Sequence, residues 1–329
     1  MVNALPLEHY LSGVISGEMS GDCPAAFLES QCLVARSWVL AHTEAKHTEL
    51  PIDCCNDDCC QRYHGTMDLT EAVLRAVEST RGRVLIDGDH RVVDANYAKC
   101  CGGVIESPEN VWSVRKPGQR AAFDGPAESE AARFMPVTED NLDDYLTGGW
   151  LAGTDVFCSP NVVDYHELSR YLGKVDVGGA YFRWRVRYDR EDLERILHAK
   201  LFSRPEMNLS APMRTLMDLR VLGRGESGRA CRLAVDYRDV MGGHHVAEIA
   251  DQHAIRDALH ETFLYSSAFK VDIERDERQV PVRVTLIGAG WGHGAGLCQI
   301  GALGMAFRGY DAGAILHHYF DNVTIHASY

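Results

Sequence analysis

Helix-like and strand-like segments fall in separate runs along this chain, and that segregation limits its fold more than any other feature. From Leu7 to Met19 the apolar residues are Leu7, Tyr10, Leu11, Val14, Ile15 and Met19, the spacing of one helical face. Asp22 and Pro24 read as the cap and first turn of a second helix, from about Ala25 to Lys46. A third helix is predicted around Thr70–Ser79, and "RVLIDG" with "RVVDANYA" reads as a hairpin about a Gly-Asp turn. Pro117–Glu130 is rich in Gly, Pro, Ala and Glu and reads as a surface loop. Strand patterns dominate beyond it: "FRWRVRYD", the hairpin "LMDLRVLGRGESGRACRLAVDYRD" and "VPVRVTLIG", with the amphipathic helix "REDLERILHAKL" after the first. Without regular alternation the prediction is α+β, a helical core with short antiparallel β-sheets. Residues 1–329 read as one unit. Its parts are a helical stretch (1–115), a variable loop-rich segment (116–180), a β-rich part (181–285) and a glycine-rich segment whose helix returns to the core (286–329).

The charge of −14 argues against non-specific nucleic-acid binding, which needs a basic surface. With 46% hydrophobic and 24% charged residues the chain reads as soluble and globular. No apolar run approaches the roughly 18–20 residues of a membrane span, so an integral membrane protein is not expected. "GAGWGHGAG" (Gly288–Gly296) imitates a dinucleotide fingerprint, but only some thirty residues follow it, too few for the rest of a nucleotide-binding half. No nucleotide is expected. The glycines read instead as permitting close approach of a bulky ligand, with Trp291 as a stacking face and His293 as a polar handle. The bland alternative for His293 is a packed core histidine.

Two charged residues sit where apolar ones belong. Glu18 follows Val14 by four positions and Leu11 by seven, so its carboxylate projects from the face that should be buried. Burial without a cation raises a carboxyl pKa, which keeps a catalytic acid protonated near neutrality. The bland alternative is a rim residue at a fraying helix end. Arg36, inside "CLVARSWVLA", must either snorkel to solvent or pair with a carboxylate or an anionic substrate group.

Eleven cysteines leave at least one unpaired, and six of them cluster at Cys54, Cys55, Cys59, Cys60, Cys100 and Cys101. Vicinal cysteines rarely bridge to each other. The spacing in "DCCNDDCCQRYHG" suits tetrahedral zinc, completed by Cys101 or His47. A disulfide from this loop to Cys100 or Cys101, or free thiols, are the alternatives.

Together "LPLEHYLSGVISGEMS", "ESQCLVARSWVLA", "CCQRYHG", "AVESTRGRVL" and "ANYAKCCGGVIESPENVW" resemble, in order, the blocks of the SpoIID/LytB family. The most distinctive match is "GWGHGAGLCQIGALGMAFRGYDAGAILHHYF". One departure is Ser20, where many members carry proline. The resemblance implies a peptidoglycan lytic transglycosylase, cleaving the β-1,4 bond between N-acetylmuramic acid and N-acetylglucosamine to 1,6-anhydro ends, on strands stripped of stem peptides. It makes Glu18 the single acid/base and Arg36 its catalytic companion, and gives Trp291, His293 and Gln299 to substrate binding. Some members carry a C-x4-H-C metal motif where Cys59 stands here for the histidine, which implies a zinc set drawn from Cys54, Cys55, Cys59, Cys60, Cys101 and His47. LytB-type relatives imply two further options, a non-catalytic modifier of a cell-wall amidase and that amidase as partner. A hydrolytic muramidase with Asp22 or Glu106 as second carboxylate is the other rival. The expected location is the cell envelope, periplasmic or extracellular, with an export signal upstream of Met1.

Overall fold

A computed structural model of the chain describes residues 2–41, 46–57, 59–147, 155–174, 179–202 and 211–329. The fold is α+β. The apolar period near the N-terminus becomes α1 (Leu7–Glu18) and α2 (Ala25–Ala41). Lys46, predicted as the end of α2, lies in a turn, and residues 42–45 are outside the described residues. Helix α3 (Glu71–Ser79) is capped by Thr70, whose hydroxyl accepts from the Val73 N–H at 3.3 Å.

Strand β1 (Arg83–Ile86) meets the expected second run across the turn at Asp87–His90, where the Asp87 N–H donates to the Arg91 carbonyl and the Val93 N–H to the Leu85 carbonyl, both at 2.9 Å. That hairpin is short, closed by the antiparallel bridge Ile86 to Val92, and the longer ladder of β1 runs antiparallel to the far end of the chain, β12 (Thr324–Ala327). Two-residue strands follow, β2 (Tyr97–Ala98), β3 (Val104–Ile105) and β4 (Ala122–Phe123), with short helices α4 (Pro108–Trp112), α5 (Leu142–Thr147) and α6 (Leu168–Tyr171). Then come β5 (Arg183–Asp189), α7 (Arg190–Phe202), β6 (Met213–Arg224), β7 (Ala230–Asp239), β8 (His244–Ala250) and α8 (Gln252–Ala258). The chain closes with β9 (Phe269–Arg275), β10 (Pro281–Ala289), β11 (Leu297–Cys298), α9 (Gln299–Phe307), α10 (Ala312–Tyr319) and β12.

The glycine-rich turn after Arg224 makes β6–β7 the predicted hairpin, and β8 adds a third antiparallel strand beside β7. A second three-stranded antiparallel sheet has the order β5-β10-β9. Among the described residues two large hydrophobic cores organise these parts, with a smaller cluster about Val104, Phe134, Leu142 and Tyr145. Leu11, Ile15, Phe27 and Leu33 pack with Leu303 and Leu316 of the C-terminal helices. Leu193, Leu197, Leu233, Ile255, Phe269 and Leu286 fill the other, between the sheets and α7 and α8.

Arg36 is buried and does not snorkel. Its guanidinium meets the Glu8 carboxylate at 2.7 and 3.1 Å and donates to the Arg83 carbonyl at 3.1 Å. Glu8 also accepts from the Gly82 N–H at 3.2 Å and the Tyr329 hydroxyl at 2.5 Å. Burial alone would push the Glu8 carboxyl up, but the bonds from Arg36 and Tyr329 hold it below its ordinary value. The pair bolts α1 to α2 and to the start of β1.

Candidate functional site

Glu18 ends α1 with 9% of its surface exposed. Its Oε1 accepts from the Tyr97 hydroxyl at 3.0 Å and the Arg62 N–H at 3.2 Å, and its Oε2 accepts from the Gln299 amide at 3.2 Å. Each donor has a local reason to be there. Strands β2 and β11 pair in parallel, Tyr97 opposite Leu297 and Ala98 opposite Cys298, which sets Tyr97 and the first residue of α9, Gln299, side by side. Lys99 donates at 2.8 Å to the Glu18 carbonyl and so satisfies an acceptor at the end of α1.

The third donor depends on missing side chains. A Cβ on Gly17 would lie 2.8 Å from the Arg62 carbonyl, and one on Gly13 would lie 2.8 Å from the Gly65 carbonyl. These glycines are one helical turn apart and make a smooth track against which residues 62–65 lie. Burial, and then the negative charge of Glu18, push the Tyr97 phenol well above its ordinary range, so it keeps its proton and donates it.

The carboxylate opens on a groove of about 1070 Å³. Trp112, Trp291, His293, Arg256 and Phe263 line it, as do Lys46, Cys59, Cys60 and Arg62. Trp291 stacks on Tyr265 with ring centres 4.4 Å apart and 22° between planes. Its backbone exchanges hydrogen bonds of 2.7 and 3.0 Å with Cys100. Half-buried His293 packs on Trp112, with ring centres 4.9 Å apart, and its Nδ1 accepts from the Ala295 N–H at 3.1 Å. Burial, then the charges of Arg256 and Arg229, push this imidazole down to about 3, so it is neutral around pH 7.

Beside the groove a set of metal-ligating atoms converges. His47, Cys55, Cys59 and Cys60 place one nitrogen and three sulfurs within 4.8 Å of one another. The His47 Nε2 lies 3.2 Å from the Cys60 sulfur and 3.8 Å from that of Cys59. Three thiols and an imidazole form a donor set that can hold a tetrahedral metal. Among the described residues no cysteine is in a disulfide.

The other candidate residues lie elsewhere. Arg36 is not among the groove-lining residues, because Glu8 and the Arg83 carbonyl occupy its guanidinium. Cys54 is not one of the converging ligands; its thiol turns to the Tyr10 hydroxyl. Cys101 belongs to a different, fully buried group with Asp124, Cys158 and Cys298. Neither candidate second carboxylate lines the groove: Asp22 pairs with Arg170 at 3.0 Å, and Glu106 is buried against Ser227 at 2.6 Å. Tyr97 and Lys99, in and just after a two-residue strand with no readable period, and the Arg62 amide, in a loop, carry no sequence signal.

The profile described as Stage II sporulation protein (SpoIID) matches residues 1–86. The profile described as Domain of unknown function (DUF8618) matches residues 109–296, more than half of the chain. An amidase enhancer of Bacillus subtilis (strain 168) is 23% identical over 322 residues, which are 96% of this chain and 40% of that protein. The chain belongs to the SpoIID/LytB-like and DUF8618 families. An uncharacterized protein of Brachyspira hyodysenteriae (strain ATCC 49526 / WA1) is 25% identical over 327 residues, 99% of this chain and 68% of that protein. The groove draws on both profile regions. Glu18 and the cysteine loop lie in the SpoIID match, while Trp112, Arg256, Phe263, Trp291 and His293 lie in the DUF8618 match.

Proposed function

We propose that this SpoIID/LytB-like protein acts on peptidoglycan in the cell envelope, outside the cytoplasm, as a lytic transglycosylase with Glu18 as its single acid/base. One observation carries the reading: a buried carboxylate held by three donors opens on a groove whose other carboxylates, Asp57 and Asp251, are exposed. Asp251 is also occupied as the cap of α8, accepting from the Ala254 N–H at 2.7 Å. Hydrolytic glycosidases work with a pair of carboxyl groups, and a transglycosylase needs one.

Glu18 would give its proton to the oxygen that leaves as the bond to N-acetylmuramic acid C1 breaks. The muramic acid C6 hydroxyl then attacks C1, and its proton returns to Glu18, closing a 1,6-anhydro ring with no water consumed. Tyr97 and Gln299 would keep both carboxyl oxygens aimed through the cycle. Trp291 and Trp112 give the groove apolar surface against which sugar rings would pack. Arg62 and Arg256 along the groove suit the lactyl carboxylates that strands without stem peptides expose.

The group of His47, Cys55, Cys59 and Cys60 suits zinc. When bound, that ion would tie the loop at 46–62 into a wall of the groove, and no step of the reaction passes through it. The amidase enhancer among the relatives supports a second reading, a non-catalytic peptidoglycan-binding modifier with a cell-wall amidase as partner.

Product mass separates these readings. Purified protein on denuded glycan strands should release saccharides ending in 1,6-anhydro-N-acetylmuramic acid. Water-added products would make it a muramidase, and no products would leave the modifier reading.

A further inference from the structure

We propose that Cys101, Asp124, Cys158 and Cys298 form a second, fully buried zinc site, separate from the cysteine loop at the groove. Their ligand atoms lie within 4.8 Å of one another, and all four residues are at most 1% exposed. The Cys101 sulfur is 3.6 Å from that of Cys158 and 2.9 Å from the Asp124 Oδ2. A tetrahedral zinc with sulfurs at about 2.3 Å sets those sulfurs roughly 3.8 Å apart, close to the spacing present.

The surroundings are built for thiolates and a fixed carboxylate. The Cys298 sulfur accepts from the Cys101 N–H at 3.2 Å and the Gly301 N–H at 3.3 Å, and the Cys101 sulfur accepts from the Gly103 N–H at 3.3 Å. His318 at 3.2 Å and the Tyr319 hydroxyl at 2.9 Å both donate to the Asp124 Oδ1, which leaves Oδ2 turned to the sulfurs. Such supporting bonds orient metal ligands and fix their charge. A core of inert thiols calls for no buried carboxylate among them, and His318 meets only its Oδ1, so Oδ2 is left to the sulfurs.

With four protein ligands and no open position, the site is structural. Binding would release the thiol protons to solvent and tie together chain segments that are far apart in sequence. Its value to the groove is direct. Cys298 precedes Gln299, which bonds Glu18, and Cys101 follows Cys100, whose backbone pairs with Trp291. The ion would clamp the acid's donor and the stacking face from beneath.

The test counts metal in the whole chain, purified with zinc and without chelator. Wild type should hold about two zinc ions per chain. The double variant His47→Ala/Cys59→Ser, altered only in the cysteine loop, should keep one, and cobalt in that variant should give a sulfur-to-cobalt charge-transfer band. Adding Cys298→Ser should remove the band. A folded His47→Ala/Cys59→Ser protein that holds no zinc overturns the proposal. So does non-reducing mass spectrometry that finds Cys101 and Cys158 joined, two hydrogens lighter.

Discussion

The Gln299 amide lies 3.2 Å from the Glu18 carboxylate although 281 residues separate them in the chain. The contact joins the end of α1 to the start of α9, so the aim of the candidate acid is a property of the whole fold. Tyr97 completes the arrangement from a two-residue strand.

Glu18→Gln tests the acid itself. Its carbonyl can still accept from Tyr97 and Arg62, and the Gln299 amide can flip to accept from the new NH2 group. The expected outcome is a melting temperature close to wild type, with turnover on denuded glycan reduced by roughly two to four orders of magnitude. Retention of more than a tenth of the activity would remove Glu18 from the role.

Arg36→Ala should act on stability before chemistry. It leaves Glu8 buried with the Tyr329 hydroxyl and Gly82 N–H but no cation. Losing one partner of a buried pair costs about 3–5 kcal/mol, which urea unfolding would measure. Glu8→Gln/Arg36→Met should recover much of that loss, whereas a direct catalytic role for Arg36 would leave the double variant stable but inactive.

Gly17→Ala probes the glycine track. The added methyl meets the Arg62 carbonyl at 2.8 Å and must push residues 62–65 away from α1. We expect turnover to fall about tenfold, with faster proteolytic nicking between residues 46 and 62 and little change in the melting temperature. Unchanged nicking would show that the loop does not depend on this contact.

His293 predicts a pH signature. Its folded value of about 3 lies below the ordinary 6.5, so the unfolded chain takes up the proton first. The stability it contributes is full above about pH 6.5 and drains away as pH falls from there toward 3. Between pH 6 and 5, wild type should lose stability more steeply than His293→Asn, by at most about 1.4 kcal/mol per pH unit and less for partial exposure of the ring. Parallel slopes would place the imidazole's environment elsewhere.

The helices were legible because burial on one face imposes a period that residues such as Leu7, Leu11 and Ile15 display. Glu18 was legible as a violation of that period. Its neighbour in the argument, Arg36, broke the same rule for a different reason: its partner Glu8 lies at the opposite end of α1, and a violation does not reveal whether it serves chemistry or stability. Vicinal cysteines defeat spacing arguments altogether. Whether Cys54 or Cys55 faces His47 is decided by the local course of the backbone, and Cys101 joins Cys158 and Cys298 across sequence gaps that no local pattern spans. The β1–β12 ladder was hidden likewise, because its two strands lie near opposite ends of the chain.

That ladder has a kinetic meaning. Val84, Leu85 and Ile86 form a buried strand whose partner, Thr324–Ala327, is made some 240 residues later. Contacts of such sequence separation close late, so β1 should wait with an open hydrogen-bonding edge while the helices around it collapse. A chain interrupted before residue 324 would carry that edge permanently, and self-association is its predictable fate.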